Sequence, residues 1–203
     1  STDGKKLRFG LTWSSPEIIQ RYSLMVDQAA RIAQLGGAVH FSVGNEVDGV
    51  LSSNTAMQYP FAEFIVYAKA AVTKATSADM SVGVSYTWDA WKALRAVRAP
   101  WLDIMNNVTD GILLTWYPLQ SNFSVMPPSA GANYFEEMVG TLPGGKCVIQ
   151  QELGYPSGYN NASSTDGSSP AAQAAFYAAA FSGAANLETN AKLKLRGVMP
   201  FDL

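Results

Sequence analysis

Val39-His40-Phe41-Ser42-Val43-Gly44-Asn45-Glu46-Val47-Asp48 is the stretch that decides how this chain is read. Residues 39, 41 and 43 are apolar, while 40, 42 and 44 are polar or small, an alternation that predicts a strand with two unlike faces. Carried forward, the parity puts Glu46 on the polar face with His40, Ser42 and Gly44, at the end of the strand and directly after Asn45. The same grammar returns in Lys146-Cys147-Val148-Ile149-Gln150-Gln151-Glu152, followed by Leu153-Gly154-Tyr155-Pro156. Again an apolar strand ends in one glutamate beside a turn. Glycosidic cleavage uses such a pair of carboxylates, one as proton donor and one as nucleophile or base.

Outward from these stretches, strands and helices alternate. Residues 7–13 form a strand candidate, and Ser14-Ser15-Pro16-Glu17 supplies a cap, a first-turn proline and an early acid. Apolar residues then recur at helical spacing from Ile18 through Tyr22, Met25, Val26, Ala29 and Ile32 to a stop at Gly36-Gly37. Residues 48–60 read as a loop, and 61–76 as a helix with Phe61, Phe64, Ile65, Ala68 and Val72 on one stripe. Residues 80–85 read as a strand ending in Tyr86-Thr87-Trp88, 90–97 as a short helix and 101–106 as a further turn. The strand at 111–118 is stopped by Pro118, and a helix near 130–139 precedes the Glu152 strand. An alanine-rich helix at 170–186 and a last strand at 195–201 complete the pattern. No internal repeat or linker divides the chain, so the expectation is one domain over 1–203.

Strands separated by helices imply a parallel sheet. A doubly wound open sheet announces a nucleotide by a glycine-rich first turn, and neither G-x-G-x-x-G nor a phosphate loop is present. A barrel instead gathers its functional residues at the C-terminal ends of several strands. Trp13, Glu46, Trp88, Tyr117 and Glu152 all fall at such ends. The sequence therefore reads as a barrel.

Composition narrows the partners. A net charge of -2 and a pI near 5.4 give no basic field for nucleic acid. No apolar run approaches the roughly 18 residues of a membrane span. The single cysteine, Cys147, excludes an internal disulfide and reads as buried. No His/Cys/Asp cluster has metal-ligand spacing, so neither a metal nor a cofactor is expected. Asn107-Val108-Thr109, Asn122-Phe123-Ser124 and Asn161-Ala162-Ser163 match the glycosylation acceptor pattern. The expected location is extracellular.

With Gly44-Asn45-Glu46, Trp116-Tyr117-Pro118 and Gln151-Glu152-Leu153-Gly154-Tyr155-Pro156 in this order, the chain resembles retaining glycoside hydrolases of clan A. These are (β/α)8 TIM barrels with an Asn-Glu acid/base after the fourth strand and a nucleophilic glutamate after the seventh. Val43-Gly44-Asn45-Glu46-Val47 with Gly49 and Leu51 is most similar to the family 53 endo-β-1,4-galactanases. On this alignment 7–13 matches the third strand and 195–201 the eighth, so two opening strand-helix units and a final helix have no counterpart. An active-site arginine on the second strand and a tryptophan after the eighth also have none; Phe201 and Asp202 stand at the latter place. The expectation is an incomplete barrel of about six strand-helix units, open between its end strands or completed by a partner chain.

The resemblance implies catalytic roles for Glu46 (acid, then base) and Glu152 (nucleophile), acting on a β-linked polysaccharide or oligosaccharide with retention. Asn45 would hydrogen-bond the sugar 2-hydroxyl, and Tyr117 would orient Glu152. Trp13 and Trp88 would stack on sugar faces, whereas Trp91, Trp101 and Trp116 read as packing. His40 reads as a satisfied histidine of the interior. The competing reading from another class is a non-catalytic carbohydrate-binding or scaffold protein built on a degenerate barrel. An open-sheet esterase or phosphatase would need a G-x-S-x-G elbow or a phosphate loop, and the sequence has neither.

Overall fold

A computed structural model describes residues 15–76, 80–120, 124–158, 167–187 and 190–201. The strand expected at 7–13, with Trp13, lies outside these residues, as do Asn122, the acceptor site at Asn161 and Asp202. The described chain runs α1 (Pro16–Leu35), β1 (His40–Ser42), α2 (Val47–Ser53), a single 3-10 turn (Thr55–Met57), α3 (Gln58–Ala75), β2 (Ser81–Thr87), α4 (Trp88–Ala96), α5 (Pro100–Val108) and β3 (Gly111–Trp116). It continues through α6 (Ala130–Thr141), β4 (Cys147–Gly154), α7 (Pro170–Leu187) and β5 (Lys194–Phe201). The strands lie in one parallel sheet in the order β1-β2-β3-β4-β5, each return made by helices. That is the strand-helix repeat of a (β/α)8 barrel, with five of its eight strands among the described residues.

The chain divides into two compact units, Ser1–Leu113 and Leu114–Leu203. In the first, α3 carries the expected stripe: Phe61, Phe64, Ile65, Ala68 and Val72 are all buried. Tyr22 of α1 meets Phe64 edge-on at 5.8 Å. Pro16 and Pro100 open their helices at the first turn, where a missing N–H breaks no bond. The α1 stripe read from sequence is too wide, since Val26 and Ala30 are buried while Met25 and Ile32 are exposed. The loop expected at 48–60 is also corrected. Val47 and Leu51, four residues apart, both go into the core and wind α2 between them. Gln58 Nε2 then donates to the Leu51 carbonyl at 2.9 Å and closes that helix's end.

In the second unit, α6 and α7 approach closely because small residues meet there. A Cβ on Gly131 would lie 2.9 Å from the Phe176 carbonyl oxygen, and one on Gly183 would lie 3.1 Å from the Ala132 Cα. The alanine-rich sequence of α7 thus has a packing reason beyond helix propensity. Trp116 of β3 stacks on Tyr134 of α6 with centroids 4.1 Å apart, and Phe176 of α7 packs beside it at 5.9 Å. The core of this unit lies between the strands and those two helices.

Candidate active site

In the first unit the backbone of β1 stays alongside β2 beyond its last strand residue. Val43 N–H donates to the Gly83 carbonyl at 3.0 Å, and Ser85 N–H donates to that of Gly44 at 2.9 Å. The chain then turns sharply. Glu46 sits at φ 46, ψ 48, the left-handed region, immediately before α2. A side chain there is disfavoured by roughly 1–2 kcal/mol. Gly44 makes the turn possible, since a Cβ on it would lie 2.7 Å from Val47 Cγ1 and 3.4 Å from the Phe61 ring. Strand parity, the sequence argument for the direction of Glu46, therefore does not reach it. The left-handed turn sets its direction instead. Glu46 is half-buried and Asn45 exposed.

Sequence reasoning missed the residue that holds this turn. Asp48 is 3% exposed, and its carboxylate accepts from Thr87 N–H at 2.9 Å and Thr87 Oγ1 at 2.8 Å. The first turn of α2 is thereby tied to the C-terminal end of β2. Burial pushes the Asp48 carboxyl above the ordinary 3.8; the Thr87 bonds oppose this, and the nearby Glu46 adds to it. The signal was present in sequence only as an acid in the first turn of an unrecognised helix.

Trp88, expected as a sugar platform, is instead the first residue of α4 and 1% exposed. Lys92 Nζ stands 5.4 Å from the centre of its ring. A ring so enclosed offers no face to a sugar. Trp91, Trp101 and Trp116 are buried as packing residues. His40 lies at the start of β1, at the opposite end of the strand from Glu46. Its Nδ1 shares a 2.5 Å hydrogen bond with the Ser81 hydroxyl, while buried Nε2 has no partner among the described residues. The histidine is satisfied at one ring nitrogen only. Burial lowers its pKa below 6.5, partly offset by the charge of Asp110.

In the second unit, Tyr117 follows the end of β3 and donates its hydroxyl to Glu152 Oε2 at 2.5 Å. The Tyr117 ring meets Phe201 edge-on at 6.1 Å. Behind Glu152 the strand end is fastened by other side chains. Tyr177 Oη shares its one proton between the carbonyls of Leu153 (3.0 Å) and Phe201 (2.9 Å). Gln173 Nε2 donates to the Tyr155 carbonyl at 2.7 Å, and Tyr155 Oη donates to that of Met126 at 2.9 Å. Of the residues named from sequence, the structure joins Tyr117 to Glu152, sets Asn45 and Glu46 in one turn, and places Trp88 in the core.

Among the described residues, no group of three or more His, Cys, Asp or Glu is arranged to hold a metal ion. No helix there is long and apolar enough to cross a membrane.

Solved structures share this architecture. The Ignisphaera aggregans GH53 catalytic domain is similar at a TM-score of 0.63 and 14% identity, covering 93% of this chain and 55% of that one. A hyperthermophilic β-glucosidase mutant, dodecameric in its crystal form, gives 0.60 at 10% identity, covering 98% and 55%. The GH113 β-mannanase AaManA from Alicyclobacillus acidocaldarius, in complex with ManMIm, gives 0.53 at 18% identity, covering 92% and 51%. The fold is that of an incomplete (β/α)8 barrel. The chain spans about half the length of each of these structures. No family model and no curated protein matches the sequence.

Proposed function

We propose that this chain carries the two catalytic glutamates of a retaining, endo-acting β-glycoside hydrolase, working outside the cell on a β-linked polysaccharide or oligosaccharide. The observation that carries the reading is the Tyr117–Glu152 hydrogen bond beside the C-terminal end of β4. One donor on Oε2 fixes the carboxylate and leaves its other oxygen to attack the anomeric carbon. Glu46 protonates the departing oxygen in that first step. In the second it takes a proton from water, which releases the sugar from Glu152 with retained configuration. Asn45 bonds the sugar 2-hydroxyl, and Trp13 is the proposed stacking ring. Further strand-helix units, from the same polypeptide or a partner chain, complete the barrel. A galactan, mannan or glucan substrate is compatible with the GH53, β-mannanase and β-glucosidase neighbours alike.

Retention requires the two carboxyl groups to meet at roughly 5–5.5 Å, against about 6.5–9.5 Å for inversion. The deciding experiment assays Glu46→Ala and Glu152→Ala in the full-length protein on an activated aryl glycoside. Loss of Glu152 should abolish turnover on every substrate. Loss of Glu46 should spare the first step where the leaving group needs little protonation, with azide restoring the second. Equal, complete loss in both without azide rescue removes this division of roles. The second reading is a non-catalytic carbohydrate-binding or scaffold protein built on the same fold. Glu46→Gln separates the two: a hydrolase loses turnover and keeps binding, whereas a binding protein never turned over.

A further inference from the structure

The direction of Glu152 has an origin that the strand alone does not supply. Along β4, Gln150 pairs with Val198 and Leu153 with Pro200 of β5, so three steps on one strand face two on the other. The pairing contains a one-residue bulge between Gln150 and Leu153. Paired residues of neighbouring strands share a face, so Gln150, Val198, Pro200 and Leu153 all lie on one side. Without the bulge, Glu152 would share that side too, being two residues from Gln150.

Along β4 that side is buried, with Gln150 and Leu153 both fully enclosed, whereas Pro200 on β5 is exposed. The hydroxyl of Tyr134 on α6 donates to Gln150 Oε1. Tyr134 is itself buried and stacked on Trp116. A carboxylate on this face would meet an aromatic core. With the extra residue inserted, Glu152 turns to the other face, where Tyr117 bonds its carboxylate and Phe201 meets the Tyr117 ring. Pro200 brings no N–H to the ladder at the place where the bulge resolves.

The bulge also has a clamp. Gln150 Nε2 donates to the backbone carbonyl of Glu152 at 2.6 Å. The orientation of the amide follows from chemistry, because a carbonyl only accepts; the nitrogen must face Glu152 and the oxygen must face the tyrosine hydroxyl. A bulged residue leaves the regular ladder, and here one buried side chain supplies the donor that holds it.

We infer that Gln150, held by Tyr134, is the positioning residue of Glu152: it pins the bulge that turns the carboxylate from the buried face of β4 to the other one. This rests on the proposed role of Glu152 for its catalytic consequence, but not for its geometry. Gln150→Leu keeps the volume and removes both hydrogen bonds. Tyr134→Phe keeps the Trp116 stack and the Gln150–Glu152 bond while freeing the far end of the amide, so it is the milder variant and the one more certain to fold.

The test has two arms. Crystal structures of the chain with and without each substitution read the geometry directly. Gln150→Leu should shift the bulge or separate Tyr117 Oη from Glu152 beyond 3.5 Å, and Tyr134→Phe should do so partially, as alternate positions of Glu152. An unchanged bulge and an intact Tyr117–Glu152 bond in both variants overturn the inference. In the full-length protein, a 2-deoxy-2-fluoro β-glycoside that traps the glycosyl ester reports the second arm. Misplacing a nucleophile by about 1 Å lowers its rate roughly 10–100-fold, so labelling of Glu152 should slow by such a factor in Gln150→Leu, with kcat falling and KM holding. An equal labelling rate in the variant counts against the inference. Absence of labelling in the unsubstituted protein would strike at the proposed function, and the crystallographic arm would still decide the role of Gln150.

Discussion

Glu46 and Glu152 both stand near the C-terminal end of a parallel strand, yet the two units deliver them by opposite means. Glu46 leaves its strand altogether. It occupies a left-handed turn before a short helix, a conformation its side chain disfavours, and buried neighbours hold it there. Glu152 stays within its strand and is redirected by a one-residue bulge between Gln150 and Leu153. The first device stores backbone strain and needs an anchor, the buried Asp48 on Thr87. The second needs only a donor for the displaced carbonyl and another for the carboxylate. Two glutamates can thus be set on one kind of scaffold by unrelated local chemistry, and each should fail in its own way.

Disturbing the turn at its tightest point should have the largest effect. Gly44→Ala forces a Cβ to 2.7 Å from Val47 Cγ1. Overpacking of this kind costs about 1–3 kcal/mol, to be read as a lower urea midpoint. Gly140→Ala serves as the control: nothing lies within 4 Å of that position, so the protein should be unchanged or gain up to about 1 kcal/mol. Equal behaviour of the two variants would mean that the close approach at Gly44 is not what shapes the turn.

Removing the anchor comes next. Asp48→Ala leaves the Thr87 N–H and hydroxyl without their acceptor, a loss of about 1–3 kcal/mol. The isosteric Asp48→Asn adds a pH signature. Burial raises the Asp48 pKa above 3.8 in the folded chain. The folded state therefore keeps this proton where the unfolded chain has lost it. The stabilising contribution is complete below 3.8 and is lost as the pH rises through the raised value. Asparagine has no such dependence, so the gap between wild type and variant should narrow as the pH rises. A gap independent of pH would place the Asp48 carboxylate outside the buried environment.

The sharpest contrast is a matched pair of glycines. Glu46→Gly should stabilise the protein by about 1 kcal/mol, because glycine adopts positive φ freely. Glu152→Gly should destabilise it by about 0.5–1 kcal/mol, the ordinary effect of glycine in a strand. Under the proposed function both variants should also lose turnover. Opposite signs in urea denaturation support two delivery devices; the same sign in both collapses the comparison.

The smallest effect concerns His40, at the opposite end of its strand from Glu46. Burial lowers its folded pKa below 6.5, so its contribution to stability is present above 6.5 and is lost as the pH falls through the lowered value. His40→Gln should flatten that part of the stability-versus-pH curve and leave the rest unchanged. A curve that keeps its slope would assign the acid sensitivity to another group.

Much of this was legible in the chain itself. The stripe from Phe61 to Val72, the Ser15-Pro16-Glu17 helix start and the stop at Gly36-Gly37 rest on local preferences, and the helices formed there. Apolar runs ending in a glutamate marked both strands. These signals are readable because propensity, capping and periodicity act within a few residues of one another. Tertiary structure decided the aim of each side chain. Strand parity gave Glu46 a face it does not use, since the strand ends at Ser42 and the chain enters a left-handed turn shaped by Val47 and Phe61. It would have sent Glu152 to the buried face of β4, had Pro200, Tyr134 and Gln150 not fixed a bulge. Trp88, an apparent platform from its place after a strand, was taken into the core by α4. At both glutamates part of the deciding packing comes from residues distant in sequence, Phe61 at the turn and Tyr134 and Pro200 at the bulge, and such contacts leave no periodic trace to read.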